Sequence, residues 1–153
     1  MSAARALYFE DFKLGDRFES GSVTLTEARM LEYARFYDPQ PFHTDPQTAT
    51  ATVYGGLIAS GMQTIAIGFK LFLETGVLAA CSLGSPGLDE IRWKAPVLPG
   101  DTLRVVAEVL ETRPSSSKPD RGIVRILFTT LNQRGEAVTT FIGNQLCCRR
   151  PVG

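Results

Sequence analysis

The clearest pattern in the chain lies in its second half, where apolar and polar positions alternate with the period of a strand. Ile91, Trp93, Ala95 and Val97 alternate with Arg92 and Lys94, with Trp93 read as core, and Pro99-Gly100 fits the centre of a type II turn. Leu103, Val105, Ala107 and Val109 form the next run, Val124, Ile126 and Phe128 another, and Val138 to Leu146 the last. Arg113 to Asp120 is rich in serine and proline and predicts a loop, and Asn132 to Gly135 predicts a turn. A short strand over Arg17 to Val23 is expected to join the same sheet.

The first half switches to helical spacing. Met30, Leu31, Ala34 and Tyr37 recur on one face, with Thr24 or Thr26 as N-cap and Glu27 in the first turn. This helix must end near Asp38, because Pro39 disfavours helical backbone in the residue before it. A second helix is predicted from Gly56 to Glu74, apolar around most of its circumference and therefore expected to be enclosed on nearly all sides. Its interior glycines, Gly61 and Gly68, each weaken a helix by roughly 1 kcal/mol relative to alanine. That cost makes sense where the helix must approach a sheet or a ligand closely. Several antiparallel strands and one very apolar helix predict an α+β fold, a curved sheet wrapped around the helix. An edge strand and one helix flank would stay uncovered, which a second copy of the chain would remedy.

Composition narrows the classes of function. With 153 residues the chain is long enough for a genuine core and is read as one domain over residues 1–153. Sixteen basic and sixteen acidic residues cancel, and no basic tract stands out, so nucleic acid and membrane surfaces are not expected as partners. The charges at Glu10 and Asp11 arrive too soon for the apolar core of a signal peptide. The apolar stretch Leu57 to Leu73 contains Ser60, Gln63, Thr64 and Lys70, which suits a buried helix better than a membrane span. Three cysteines (Cys81, Cys147 and Cys148) lack framework spacing and fit a reducing, cytoplasmic setting. With one histidine in the chain, no metal site is expected.

That histidine, His43, closes the hexapeptide Asp38-Pro39-Gln40-Pro41-Phe42-His43. A carboxylate and an imidazole in one short segment point to acid/base chemistry, because imidazole titrates near neutrality and a carboxylate can orient it or share its work. The prolines are expected to keep this segment out of helix. Five residues of polyproline-like chain span about 15 Å, so the two side chains must curl toward a common point to act together.

Three landmarks in order carry a family resemblance: Asp38 to His43, then Tyr54-Gly55-Gly56-Leu57-Ile58-Ala59-Ser60-Gly61-Met62, then Trp93-Lys94-Ala95-Pro96-Val97-Leu98-Pro99-Gly100-Asp101. Together they resemble the MaoC-like dehydratases, hotdog-fold enzymes related to the (R)-specific enoyl-CoA hydratases, over roughly residues 8 to 148. The resemblance implies a single hotdog domain and hydro-lyase chemistry, 2-enoyl-CoA to (R)-3-hydroxyacyl-CoA or the reverse. By position, Asp38 and His43 look like the catalytic pair, and Gly61 like the residue whose N–H faces the thioester oxygen. Gln40 and Ser60 are candidate substrate-binding residues at positions where the family often has asparagine and histidine. Coenzyme A would enter as part of an acyl-CoA substrate, with no separate cofactor, and the chain would act as a homodimer or a higher homo-oligomer. Two other readings remain: a hotdog thioesterase, or a non-catalytic acyl-binding hotdog protein. A carboxylate within the central helix would favour hydrolysis, and none lies between Gly56 and Lys70.

Overall fold

The computed structural model describes residues 5–153. After a short 3₁₀ turn, Phe9–Asp11, the elements run β1 (Arg17–Thr24), α1 (Glu27–Tyr37), α2 (Pro41–Thr44), α3 (Pro46–Ala49), α4 (Gly61–Leu73), β2 (Leu88–Trp93), β3 (Thr102–Pro114), β4 (Arg121–Leu131) and β5 (Ala137–Cys148). The strands form one antiparallel sheet in the order β1-β3-β4-β5-β2. Helix α4 packs against β1, β3, β4 and β5, which gives the expected α+β hotdog arrangement of a sheet around a helix.

The alternation read from the sequence sets the sheet's inner face. Along β4, Val124, Ile126, Phe128 and Thr130 are fully buried while the residues between them are half-buried. Phe128 anchors the core: its ring stacks on Phe141 at 4.9 Å and meets Phe72 of α4 edge-on at 5.0 Å. Full burial of such a side chain is worth roughly 1.5–3 kcal/mol. The Pro99-Gly100 turn forms as expected, with Gly100 at φ 88° and the Asp101 N–H donating to Leu98 O.

The long helix differs from the sequence reading in two respects. The long helix begins at Gly61, not Gly56, because Leu57 to Ser60 run extended and buried. Their polar groups pair outside any helix: the Ile58 N–H donates to Phe42 O and the Ala59 N–H to Val97 O. Nor is α4 enclosed on nearly all sides, since Met62 and Leu73 are exposed along with Ala66 and Lys70, one stripe at helical spacing. The uncovered flank and edge strand expected of a lone copy are both present. Strand β2 pairs only with β5, and a bulge between Asp89 and Arg92 holds Glu90 at φ 50°.

Gly68 shows why α4 tolerates a glycine in its middle. A Cβ there would lie 2.6 Å from Thr130 Oγ1 and 3.3 Å from Val105 Cγ2, both on the inner face of the sheet. Alanine would gain roughly 1 kcal/mol of helix propensity and lose about 1–3 kcal/mol to overpacking. Gly68→Ala is therefore expected to lower stability by about 1 kcal/mol in urea unfolding, and the loss should shrink in a Thr130→Ala background. A double-mutant cycle showing equal losses in both backgrounds would place the strain elsewhere.

Candidate active site

Helix α1 is capped by Thr26, whose side chain accepts from the Arg29 N–H, and it ends at Tyr37 with the Asp38 N–H donating to Ala34 O. Asp38 thus sits on the lip of the helix, as the following proline requires. The backbone then reverses within five residues. The Gln40 N–H donates back to Asp38 O, and Pro41 becomes the first residue of the one-turn helix α2. Proline suits that position because its missing N–H would have had no partner there. The expectation that the prolines exclude helix is corrected here: Pro41 starts one, and that turn curls His43 back toward Asp38.

The two side chains meet. His43 Nε2 lies 3.3 Å from Asp38 Oδ2, with the imidazole buried and the carboxylate one-fifth exposed. The other ring nitrogen, Nδ1, is 2.8 Å from the carbonyl of Ile58. A carbonyl can only accept, so Nδ1 carries a proton in either charge state and Nε2 is the nitrogen free to exchange one. The extended run that replaced the predicted start of the second helix is what supplies that carbonyl.

Asp38 is surrounded by donors. The Gln40 amide donates to Oδ1 at 2.7 Å and the Ser60 hydroxyl to Oδ2 at 2.7 Å. Partial burial acts to raise the pKa of this carboxyl, but Gln40, Ser60 and the nearby imidazole together hold it below its ordinary value. Gln40 also lines the cleft described below, whereas Ser60 is fully buried.

Ser60 occupies the N-cap position of α4, yet its side chain makes no cap hydrogen bond. A serine there usually accepts from the first turn; this one turns its hydroxyl to Asp38 instead. No acidic residue lies in the first turn either. The Gly61 N–H is one of the donors a helix leaves without an intrahelical partner, at the positive end of the helix dipole.

These groups border an open cleft of about 410 Å³. Asp38, His43 and Gly61 face it together with Phe42, Tyr54 and Trp93, so the structure brings the predicted pair and the predicted N–H donor to one space. Phe42 and Tyr54 form an aromatic wall, their ring centroids 5.3 Å apart, and Phe42 also meets the His43 ring edge-on at 4.5 Å. Trp93 reads as core in the sequence but is 52% exposed and lines the cleft, because β2 is an edge strand. Tyr54 was likewise hidden, lying in an irregular segment without periodicity. No group of three or more His, Cys, Asp or Glu placed to hold a metal ion occurs among the described residues, and the three cysteines are free thiols.

The donors around Asp38 set a pH dependence. Its folded value lies below its unfolded one, so the stabilisation it contributes is present above the ordinary value of 3.8 and fades as pH falls through the depressed folded value. Ser60→Ala removes one donor and should move the NMR titration midpoint of the Asp38 carboxyl carbon upward. An unchanged midpoint would show that the hydroxyl does not hold the charge.

Comparison with known proteins identifies the family of this chain. A family model described as "MaoC like domain" matches residues 11–130. The crystal structure of a MaoC-like dehydratase from Rhodospirillum rubrum is 41% identical, with a TM-score of 0.90 over 96% of this chain and 100% of that one. The uncharacterized protein YdeM of Bacillus subtilis is 32% identical over 125 residues, 82% of this chain and 87% of that protein. A mesaconyl-CoA hydratase of Cereibacter sphaeroides is 28% identical over 138 residues, 88% of this chain but 39% of that longer protein. A family match over most of the length, with relatives above 30% identity that align nearly end to end, makes this chain a member of the MaoC-like domain family.

Proposed function

We propose that the protein is a hydro-lyase acting on acyl-CoA thioesters, interconverting a 2-enoyl-CoA and water with the (R)-3-hydroxyacyl-CoA. The observation that carries this reading is the approach of Asp38 and His43 to 3.3 Å in a cleft that Gly61 also lines. Family membership supports the same chemistry, as does the likeness to a protein named for hydrating an acyl-CoA.

Hydration of the conjugated double bond needs a base for water, a proton for the α-carbon and stabilisation of the enolate oxygen. A water molecule held between Asp38 and His43 Nε2 would lose a proton to the pair as its oxygen bonds to the β-carbon. The π electrons move onto the thioester as an enolate, whose oxygen accepts from the Gly61 N–H at the positive end of α4. The pair then returns a proton to the α-carbon, leaving its own protonation unchanged over the cycle. Ile58 O keeps Nδ1 occupied, so the exchange is confined to Nε2, and Ser60 and Gln40 hold the Asp38 carboxylate in its charged form. No electrons are transferred, and we propose that the reaction runs without a metal or a redox cofactor.

We further propose a homodimer, in which a second copy pairs with an open sheet edge and covers the exposed stripe of α4, working in the reducing cytoplasm. Size-exclusion chromatography with light scattering reads the first point directly. A thioesterase reading finds less support, since α4 carries no carboxylate and Glu74, at its C-cap, is exposed and paired with Lys70.

Crotonyl-CoA and a branched dicarboxylic enoyl-CoA should lose their conjugated absorbance in the presence of the protein without release of free thiol. Release of thiol would identify a thioesterase instead, and neither signal a binding protein. Asp38→Asn and His43→Ala are each expected to lower turnover on the order of 10²-fold or more, with circular dichroism unchanged. Near-normal turnover in either variant removes that residue from the mechanism.

A further inference from the structure

Gly61 has a neighbour that its proposed role does not require. A Cβ at this position would fall 2.3 Å from Trp93 Nε1, 2.5 Å from Cε2 and 2.8 Å from Cδ1. Such similar distances to three adjacent ring atoms mean that the pyrrole ring presents its face, not its edge, to the Gly61 Cα. The indole therefore lies flat on the first residue of α4. Only glycine permits this, because any side chain would enter the ring.

The Gly61 nitrogen lies about 2.5 Å from that Cβ position by ordinary bond geometry, so Trp93 Nε1 and the Gly61 nitrogen are within about 5 Å of each other. Gly61 and Trp93 therefore border the same side of the cleft. Trp93 is not held by the core: it is 52% exposed. The cleft is lined by Trp93 and by the Phe42–Tyr54 pair. A rigid aromatic with two side-chain torsions forms a wall at small entropic cost.

Resting on the hydro-lyase reading of this site, we infer that Trp93 is a specificity-determining residue, the wall that packs against the thioester and the first carbons of the acyl group. It selects short acyl chains by closing the cleft beside the Gly61 N–H. Replacing it with alanine opens that side. A short chain then loses contact, while a longer one gains room.

Kinetics on crotonyl-CoA and trans-2-octenoyl-CoA test this. Trp93→Ala should lower kcat/KM on crotonyl-CoA by about 10-fold, mostly through KM, and leave octenoyl-CoA within about threefold or raise it. Trp93→Phe should stay near wild type on both, and Gly61→Ala, which keeps the N–H but displaces the indole, should shift chain preference in the same direction as Trp93→Ala. Equal losses on both chain lengths, or no loss, overturn the inference. Trp93 is the sole tryptophan of the chain, so its fluorescence reports contact without any need for turnover. Titration with the saturated analogue butyryl-CoA should change the emission saturably, and calorimetry on the same samples measures binding independently. If the protein binds butyryl-CoA and its emission responds but no substrate is hydrated, the hydro-lyase reading fails and the contact stands. Binding without an emission change overturns the inference alone, and no binding overturns both.

Discussion

A partly buried carboxylate that must stay charged is the constraint around which this end of the molecule is organised. Asp38 cannot keep its charge out of bulk water unless donors replace the solvent it has lost. Those donors are Gln40, two residues on, and Ser60, at the threshold of α4, while the imidazole of His43 on the turn of α2 lies 3.3 Å away. Each in turn depends on backbone geometry set elsewhere. His43 is aimed by Ile58 O, and Ile58 is held by Phe42 O. The segment from α1 to α4 is thus closed on itself by polar contacts, whereas the rest of the fold is held by the aromatic layer between α4 and the sheet.

The start of α4 serves two needs at once. A helix N-terminus gains stability when its cap side chain satisfies a first-turn N–H, an effect of about 1 kcal/mol. Ser60 forgoes that contact and donates to Asp38 instead. The uncapped first turn leaves donors and a positive dipole end beside the cleft that Gly61 lines, close to the carboxylate that the same serine supports. Stability given up at the cap reappears as polarity where the proposed chemistry needs it.

How much of this was legible in the sequence follows from the range of each signal. The sheet was, because alternation such as Val124, Ile126, Phe128 is imposed residue by residue by burial of one face. The end of α1 at Asp38 was, because Pro39 acts on its immediate neighbour. The pairing of Asp38 with His43 rested on family resemblance, since polyproline-like chain alone would have kept the two apart. It became possible through a single turn of helix nucleated at Pro41, too short to leave a periodic trace. The start of α4 was misplaced by five residues because Leu57, Ile58 and Ala59 are as apolar as the helix that follows, and buried extended chain and buried helix share that composition. Trp93 was misread for a related reason. Alternation shows which face of a strand points inward, but not that the strand lies at an edge, where an inward side chain borders a cleft rather than a core.

The position of β2 also puts the proposed size selection and the charge control on separate supports. Asp38, Gln40, His43 and Ser60 belong to the α1–α4 segment and constrain one another through short hydrogen bonds, so altering any one disturbs the others. Trp93 arrives from the sheet edge and meets this assembly with the face of its ring on Gly61. Its backbone register against Thr139 is set by the ladder between β2 and β5, independently of the acid/base pair. A wall anchored outside the hydrogen-bonded network can change size without altering the charge state of Asp38 or the tautomer of His43. In such a scaffold the acyl group accepted can vary at position 93 while the groups proposed to move protons stay fixed.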